Sequence, residues 1–452
     1  MPLLTTRANG ALNITRLGGG GGEAYWLATY SLSSAGSIIR DLSVDSSKNV
    51  WFVCDGNNGV RSCLDFVKLN SSGIKQTDFS LSGDRGFYPN ELKFDSTNNY
   101  LYCSYYTDWS PNQHVCKIST SGTLAWDKHS NYSMDAGSRD GLFYNSTADK
   151  VYHGGNYYNT ANGYGECSYL DRHNTSDGAL ANISRRNWFY GGNNLACSVQ
   201  GITGYVDPNS LASLTFVAIN GLGTPGLGGL GEETYLNWHV EFQSPNQGIA
   251  YVAVAVDPSY NLYGGGYNQT WGGVSNGYSY VAKHSTEDGS FVWQRKFYSG
   301  SKTTYLKRIA TDTLNNVYVV GVQTGTYNTG FIMKYNSSGV LQWQRIISRS
   351  SQHVELTSVA TDINNNIYVA GYGNDGSYNR GFCLKLKTDG SQTGTYGGYT
   401  IASGSITDAA GDLSMTGTNS YRGGGTYSGN GSMGDGVAAG SSLSGTVSTT
   451  SL

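Results

Sequence analysis

The sequence is short of charge, proline and long apolar runs, and each shortage removes a class of protein. Charged residues are 13 % of 452, about half the usual share of ~25 %. Coiled coils and helical bundles need Ala, Glu, Lys and Leu in quantity, so they are excluded. Proline occurs 7 times and glycine follows no three-residue period, which excludes collagen. No run approaches the ~18–20 apolar residues of a membrane-crossing helix, so no membrane insertion is expected. The net charge is −3, from 29 basic against 32 acidic residues, with no basic run. The electrostatic footprint of nucleic-acid binding is therefore missing. The 7 cysteines (Cys54, Cys63, Cys103, Cys116, Cys167, Cys197 and Cys383) form no C-x-x-C pair. Their odd number argues against a disulfide framework and for small buried side chains. The opening stretch, MPLLTTRANGALNITRLGGGGG, lacks the charged start and apolar core of a secretory signal, so export by that route is not expected.

What is abundant is glycine, at 63 residues, and tyrosine, whose 35 copies exceed the 13 Phe and 9 Trp together. Aromatic residues at 13 % supply enough apolar surface for a large core. Three segments align at once: VAVDPSYNLYGGG from Val254, IATDTLNNVYVVG from Ile309 and VATDINNNIYVAG from Val359. Each is followed by a loop and a second strand carrying lysine: YVAKHSTEDG, FIMKYNSSG and FCLKLKTDG. Two continue into FVWQRKFYS and LQWQRIIS. More divergent copies start at Leu42, Leu92, Leu142 and Val206, and an incomplete one at Ser405. Anchor residues Asp45, Asp95, Asn145, Asp207, Asp257, Asp312, Asp362 and Asp408 are spaced by 50, 50, 62, 50, 55, 50 and 46. A near-constant period of this size marks a repeat architecture.

Each unit reads as four short strands. The first ends at the anchor, where Asp and Asn side chains favour a turn. The second is β-branched or aromatic. The third carries Lys68, Lys117, Lys283, Lys334 or Lys385, and the fourth often carries tryptophan (Trp126, Trp238, Trp293, Trp343). Alternating apolar residues and evenly spaced turn signals indicate all-β structure. Four-stranded units of ~40–50 residues predict a β-propeller. The expected fold is a single ring of eight blades, or seven if the weak copy near residues 195–245 is an insertion. The N-terminal AYWLATYSL, with Trp26, resembles the tryptophan strand. It is expected to complete the last blade and so remove the open sheet edges. The expected division is a lead-in with a glycine hinge over 1–22, a propeller over 23–429 whose residues 23–33 close the last blade, and a Gly/Ser-rich tail over 430–452.

The unit D-x-x-x-N-x-Y-V-x-G … K-x-x-x-x-G-x-x-x-W resembles the SBBP β-propeller repeat, most closely between Val254 and Gly390. Its turn-plus-tryptophan segment faintly resembles the Asp-box of sialidases and the tryptophan motif of quinoproteins. The opening TTRANGALNITRLGGGGGEAYWLATYS is similar to the starts of tail and virion structural proteins of tailed, particularly marine, bacteriophages. That second resemblance implies a virion protein present in several copies, with other virion or tail proteins as partners.

The Asp/Asn turns hold oxygen atoms at short spacing, but the calcium-loop pattern does not occur, so turn capping is the expected role and no metal or cofactor is called for. The tryptophans are expected to pack between blades, and the strand-three lysines to be solvated or paired with neighbours. The histidines are scattered, with no H-x-x-x-H, no G-x-S-x-G elbow and no phosphate loop, so no catalytic residue is assigned. Arg172, Arg185, Arg186 and Arg345 remain candidates for a carboxylate grip, and a pair of carboxylates for sugar hydrolysis is defined by spacing in space rather than by motif. The most informative feature is the set of loops between strands two and three, such as GYNQTWGGVSNGY. Alternation of connections puts them all on one face, and flat rings among amides suit sugars or an adaptable protein contact. The candidate binding residues are Tyr106, Trp109, Tyr157, Tyr158, Tyr164, Tyr267, Trp271, Tyr327, Tyr378 and Tyr421. The expected function is host-surface attachment or tail architecture, without enzymatic activity, through a glycan or envelope protein of the host. The alternatives are a bacterial surface or secreted carbohydrate-binding propeller and a sialidase- or lyase-like enzyme.

Overall fold

In the computed structural model the described residues are 3–5, 10–17, 23–32, 36–57, 62–83, 86–108, 113–129, 141–158, 166–186, 197–206, 213–221, 226–230, 236–243, 248–269, 277–300, 302–374, 377–419 and 434–435. They form seven antiparallel sheets. Blades 1 to 6 span residues 39–82, 87–129, 141–186, 197–243, 248–298 and 304–349, each a consecutive four-stranded meander. Blade 7 takes three strands from 354–386 and its fourth from the N-terminus. Trp26 stands opposite Lys385 and Ala28 opposite Cys383, so the two ends of the ring are joined by a sheet ladder. The fold is the expected β-propeller, with the lower of the two blade counts. The weak copy at 197–243 is a true blade. The unit from Ser405 is the one that is not, because the fourth strand supplied by Trp26 belongs to the unit before it.

The segment after blade 7 runs backwards along the rim. Tyr399–Ser403 adds an outer strand to blade 6, Thr407–Ala410 to blade 5 and Ser414–Asn419 to blade 4. Asp408, expected to anchor an eighth turn, instead pairs with Arg295 and accepts from the Tyr335 hydroxyl at 3.0 Å. The N-terminal lead-in also lies on the rim, with Leu3–Thr5 beside blade 1 and Gly10–Arg16 beside the Trp26 strand. These outer strands cover edges that would otherwise offer unpaired backbone groups.

Among the described residues there is no single central core. The buried apolar residues fall into seven clusters, each lying between two neighbouring blades. The repeat motif builds these layers. Asp312 shows how: its carboxylate accepts from Leu314 N and Asn316 N, from the Asn316 amide, and from the Tyr318 hydroxyl at 2.8 Å. Asp257 and Asp362 do the same for Tyr263 and Tyr368. The anchor is a turn cap whose oxygens are taken up by its own loop. Tyr318 then stands opposite Lys334, and Lys334 opposite Trp343, in one row across the blade.

That row ends on the neighbouring blade. Trp343 Nε1 donates to Thr388 O at 3.1 Å, and Lys334 Nζ donates to the same oxygen at 3.2 Å. Equivalent bonds run from Trp26 to Ser71, Trp126 to Thr175, Trp238 to Thr286 and Trp293 to Ser337. Lys117, Lys334 and Lys385 are therefore paired with the neighbouring blade, the second of the two expectations, whereas Lys68 and Lys283 are half-buried. Lys385 is fully buried, and Lys117 is 8 % exposed and donates to Thr175 O at 2.8 Å. Burial lowers the pKa of Lys117, Lys334 and Lys385. The five described cysteines, Cys54, Cys63, Cys103, Cys116 and Cys383, are buried free thiols; the side chains of Cys167 and Cys197 lie outside the described residues.

Each tryptophan ring lies against a glycine in the next blade's turn. Gly390 has φ +66, and a Cβ there would meet Trp343 Cδ2 at 2.6 Å. Substituting Gly390→Ala is expected to cost about 2 kcal/mol or more, from the left-handed backbone and the clash with a rigid ring. Gly398, at φ +84 with only Arg349 Nε at 3.7 Å, serves as control, since alanine there meets the backbone penalty alone. Urea midpoints of the two variants check the difference; equal losses would remove the ring contact from the account.

Candidate functional site

The ring creates two places where function can sit: the central channel and the face bearing the strand-two-to-three loops. The channel is lined by the first strands. Nearly every one carries an extra residue at the same height, with register shifts at Ile39/Asp41, Pro89/Glu91, Val199/Gly201, Tyr251/Ala253, Leu306/Arg308 and Leu356/Ser358. Such a bulge re-aims the following side chain. A cavity of about 310 Å³ includes Asp41, Glu91, Lys93, Arg308 and Ser358 in its lining, among small and aliphatic residues.

These polar groups are consumed by one another. Arg308 Nη2 lies 2.8 Å from Glu91. Arg308 stands on blade 6 and Glu91 on blade 2, so the bond crosses the ring with blades 7 and 1 between them on one side. Lys93 reaches Glu91 at 3.4 Å and Asp41 at 3.7 Å. Burial pulls the Lys93 pKa down, but Glu91 and Asp41 together carry it above its ordinary value, so the ammonium stays charged. The carboxylates also accept backbone N–H groups of the next blade: Leu92 on Asp41 at 2.8 Å and Leu142 on Glu91 at 2.9 Å. Ser358 Oγ bonds Asp41 from blade 7. Two cations balance two anions, and the network ties blades across the channel. Sequence reasoning missed this cluster. The signal lay in the repeat itself, since Asp41, Glu91 and Arg308 each stand four residues before their anchors, at a position that is Ala253 or Ser358 elsewhere.

The loop face is held by bonds to the connections between blades. Thr304 N donates to Gly277 O, Thr324 N to Thr303 O, Val354 N to Asn328 O and Asn374 N to His353 O. The loops between strands two and three therefore share one face with the blade-to-blade crossings, opposite the anchor turns. Of the ten candidate residues, Tyr327 and Tyr378 are exposed there, at 45 % and 41 %. Tyr327 packs edge-on to His353 at 5.7 Å, and Arg380 lies 5.5 Å over the Tyr378 ring. Tyr106 and Tyr267 are half-buried and carry neighbours: Tyr106 stacks on Tyr88 at 4.8 Å, and Tyr267 meets Tyr305 edge-on at 4.9 Å. Tyr157 and Tyr158 end the strand Lys150–Tyr158, but their side chains lie outside the described residues, as do Trp109, Tyr164, Trp271 and Tyr421 altogether.

Of the arginines weighed as a carboxylate grip, Arg172 stands on the third strand of blade 3 and Arg345 on the fourth strand of blade 6. Arg345 donates to Gly390 O at 2.6 Å on the outer strand of blade 6, far from Arg308 in the channel wall, and the side chains of Arg185 and Arg186 lie outside the described residues. Among the described residues no three His, Cys, Asp or Glu side chains converge as metal ligands.

Residues 342–379 match the SBBP family, described as a beta-propeller repeat. The chain is a β-propeller protein. The matched span holds the Trp343 latch, the Asp362 turn and Tyr368, the same elements that build the layers between blades. No curated protein matches the chain by sequence. Among solved structures the propeller is similar to an oligogalacturonate lyase in complex with manganese, at 10 % identity and TM-score 0.47, over 84 % of this chain and 99 % of that one. It is also similar to a glucose dehydrogenase, at 10 % and 0.39, over 66 % and 96 %. A protein of unknown function from Dyadobacter fermentans DSM 18053 aligns at 11 % and 0.41, over 85 % and 97 %. At such identity these names say nothing of what this propeller binds or converts, because one fold hosts many functions.

Proposed function

We propose that this propeller is a non-enzymatic virion component of a tailed bacteriophage, placed on the tail or a tail fibre. It contributes to host-surface attachment or tail architecture through the loop face. The observation that supports this most is the exposure of Tyr327 and Tyr378 on one face, while the polar groups of the channel are taken up in internal ion pairs. The phage assignment itself rests on the likeness of the opening residues to virion proteins. The partners are then other tail proteins and a host glycan or envelope protein. Each contact is weak, and several copies on one particle supply the avidity.

The test is binding of the full-length protein to host cells and to a glycan array. Tyr327→Ala with Tyr378→Ala is expected to lower binding about tenfold or more, as loss of aromatic anchors does. Unchanged binding overturns the loop-face assignment. Turnover of a polysaccharide by the wild-type protein overturns the non-enzymatic one, and Glu91→Gln would then show whether the channel carries it.

A further inference from the structure

The seven blades are closed without residues 399–415, yet two matching devices grip that strap. Blade 6 presents Gln344 and blade 5 presents Gln294, each directly after the latch tryptophan. Gln344 Nε2 donates to Ile406 O at 3.0 Å, and its Oε1 accepts from Ile406 N at 2.9 Å. Its backbone carbonyl accepts from Gly404 N at 3.3 Å. Gln294 repeats the set on Leu413, at 3.0 Å in both directions, and on Gly411 N at 3.1 Å. The second grip follows the first by seven residues (404 to 411, 406 to 413). A Cβ on Gly404 or Gly411 would meet the glutamine Oε1 at 2.6 or 2.5 Å, so both grips require glycine. Ile406 and Leu413 are buried, and Asp408 and Asp412 pair with Arg295 and Lys296. The outer track of blades 5 and 6 thus reads Gly-x-(Ile/Leu) twice at fixed spacing.

Along the strap Tyr399, Ile401, Ile406 and Leu413 are buried, and the residues beside them face outward. Ala402, Ser403, Ser405, Thr407, Ala410, Asp412 and Ser414 are exposed. Upstream, Gly394–Tyr396 pairs with Tyr399–Ser403 in a hairpin turned by Gly397 and Gly398, both at positive φ, so the hairpin belongs to the strap and the link to blade 7 runs through residues 387–393. We propose that the strap is an exchangeable strand: the same segment of a second copy of this chain can occupy the track, joining copies rim to rim. A swapped strap makes every contact that the chain's own strap makes. The balance is then set by chain concentration against the effective concentration of a short tether, on the order of mM. Exchange is rare in dilute solution and favoured where copies are held side by side. This proposal does not depend on what the loop face binds.

Disulfide trapping in the full-length protein tests it. Ser348 and Thr400 are register partners between blade 6 and the strap. A chain carrying both Ser348→Cys and Thr400→Cys is expected to close within itself, which checks the register. Two populations, one with Ser348→Cys and one with Thr400→Cys, are then mixed under mild oxidation, with the parent chain as background. The expected result is an interchain disulfide that accumulates with concentration. It should form several-fold faster when Gln294→Leu and Gln344→Leu loosen both grips. Absence of interchain product at mM concentration, while the double variant closes internally, overturns the exchange. Failure of the double variant to close overturns the strap itself.

Discussion

Replacing Trp26 by alanine is expected to lower the unfolding free energy by about 3–5 kcal/mol, the usual cost of deleting a buried tryptophan. The reason is its place in the ring. Trp26 is fully buried and lies 6.1 Å from the Tyr368 ring centroid, with its indole N–H on Ser71 O at 3.1 Å. It therefore belongs to blade 7 by pairing and to blade 1 by contact. Further bonds across this closure include Tyr30 to Asp65 at 2.8 Å and Thr357 Oγ1 to Ile39 O at 2.6 Å. Trp343→Ala makes the same deletion at an interface between blades that are continuous in the chain. The closure variant is expected to open first to limited proteolysis, because its blade is assembled from residues more than 300 apart. Chemical denaturation of both variants gives the free energies. A loss below about 1 kcal/mol for Trp26→Ala would show that the ladder to Lys385 closes the ring without the latch.

Acidification from pH 6.5 to 4 is expected to remove stability through buried histidines. His173 and His284 lie at the same position in blades 3 and 5, each with Nδ1 on a turn carbonyl, Gly178 O at 3.1 Å and Gly289 O at 2.9 Å. Burial holds both pKa values down to about 4. Folding keeps them neutral, while the unfolded chain protonates near its ordinary 6.5. Between those values the unfolded state binds the extra proton, so stability falls as the pH falls, by about 3 kcal/mol for each histidine. His153 is shifted in the same direction by burial. Asp65 opposes them: burial raises its pKa to about 6, so its proton is gained in the fold and favours the folded state as the pH falls from 6 toward 3.8. Burial also acts to raise Glu23, but hydrogen bonds from Asn366 and Lys385 bring it down to about 2. Its contribution is therefore lost only below 4.5. The net expectation is a falling urea midpoint from pH 6.5 to 4. His284 Nε2 accepts from the Tyr251 hydroxyl at 2.5 Å, so His284→Gln is expected to lose stability at pH 7. The pH 7-to-4 difference should nevertheless shrink by about 3 kcal/mol. An unchanged difference would assign the acid sensitivity to other groups.

Much of the fold was legible because the repeat is local. The anchor Asp, the Asn four residues on and the Tyr six residues on make their bonds inside one turn, and the lysine–tryptophan row follows from strand pairing within one blade. The blade count turned on a smaller sign. The unit from Val359 has no tryptophan strand of its own after Gly390, which is why the Trp26 strand joins it rather than the unit from Ser405. The candidate face was legible as a pattern of connections. The partners of its tyrosines were not, since Tyr88, Tyr305, His353 and Arg380 come from neighbouring strands or crossings.

By itself the sequence determined the unit: its period, its turn, the row of side chains that meets the next blade, and the strand left over to seal the circle. All of these depend on residues near one another in the chain, whose spacing dictates their geometry. The tertiary structure decided what depends on the circumference. Closure at seven brought Glu91 and Arg308, 217 positions apart, to 2.8 Å across the channel. It also left outer edges on the rim for residues 399–419 to cover. A salt bridge across a ring and a strap along its edge are set by the radius of the closed array, and no local pattern encodes that radius.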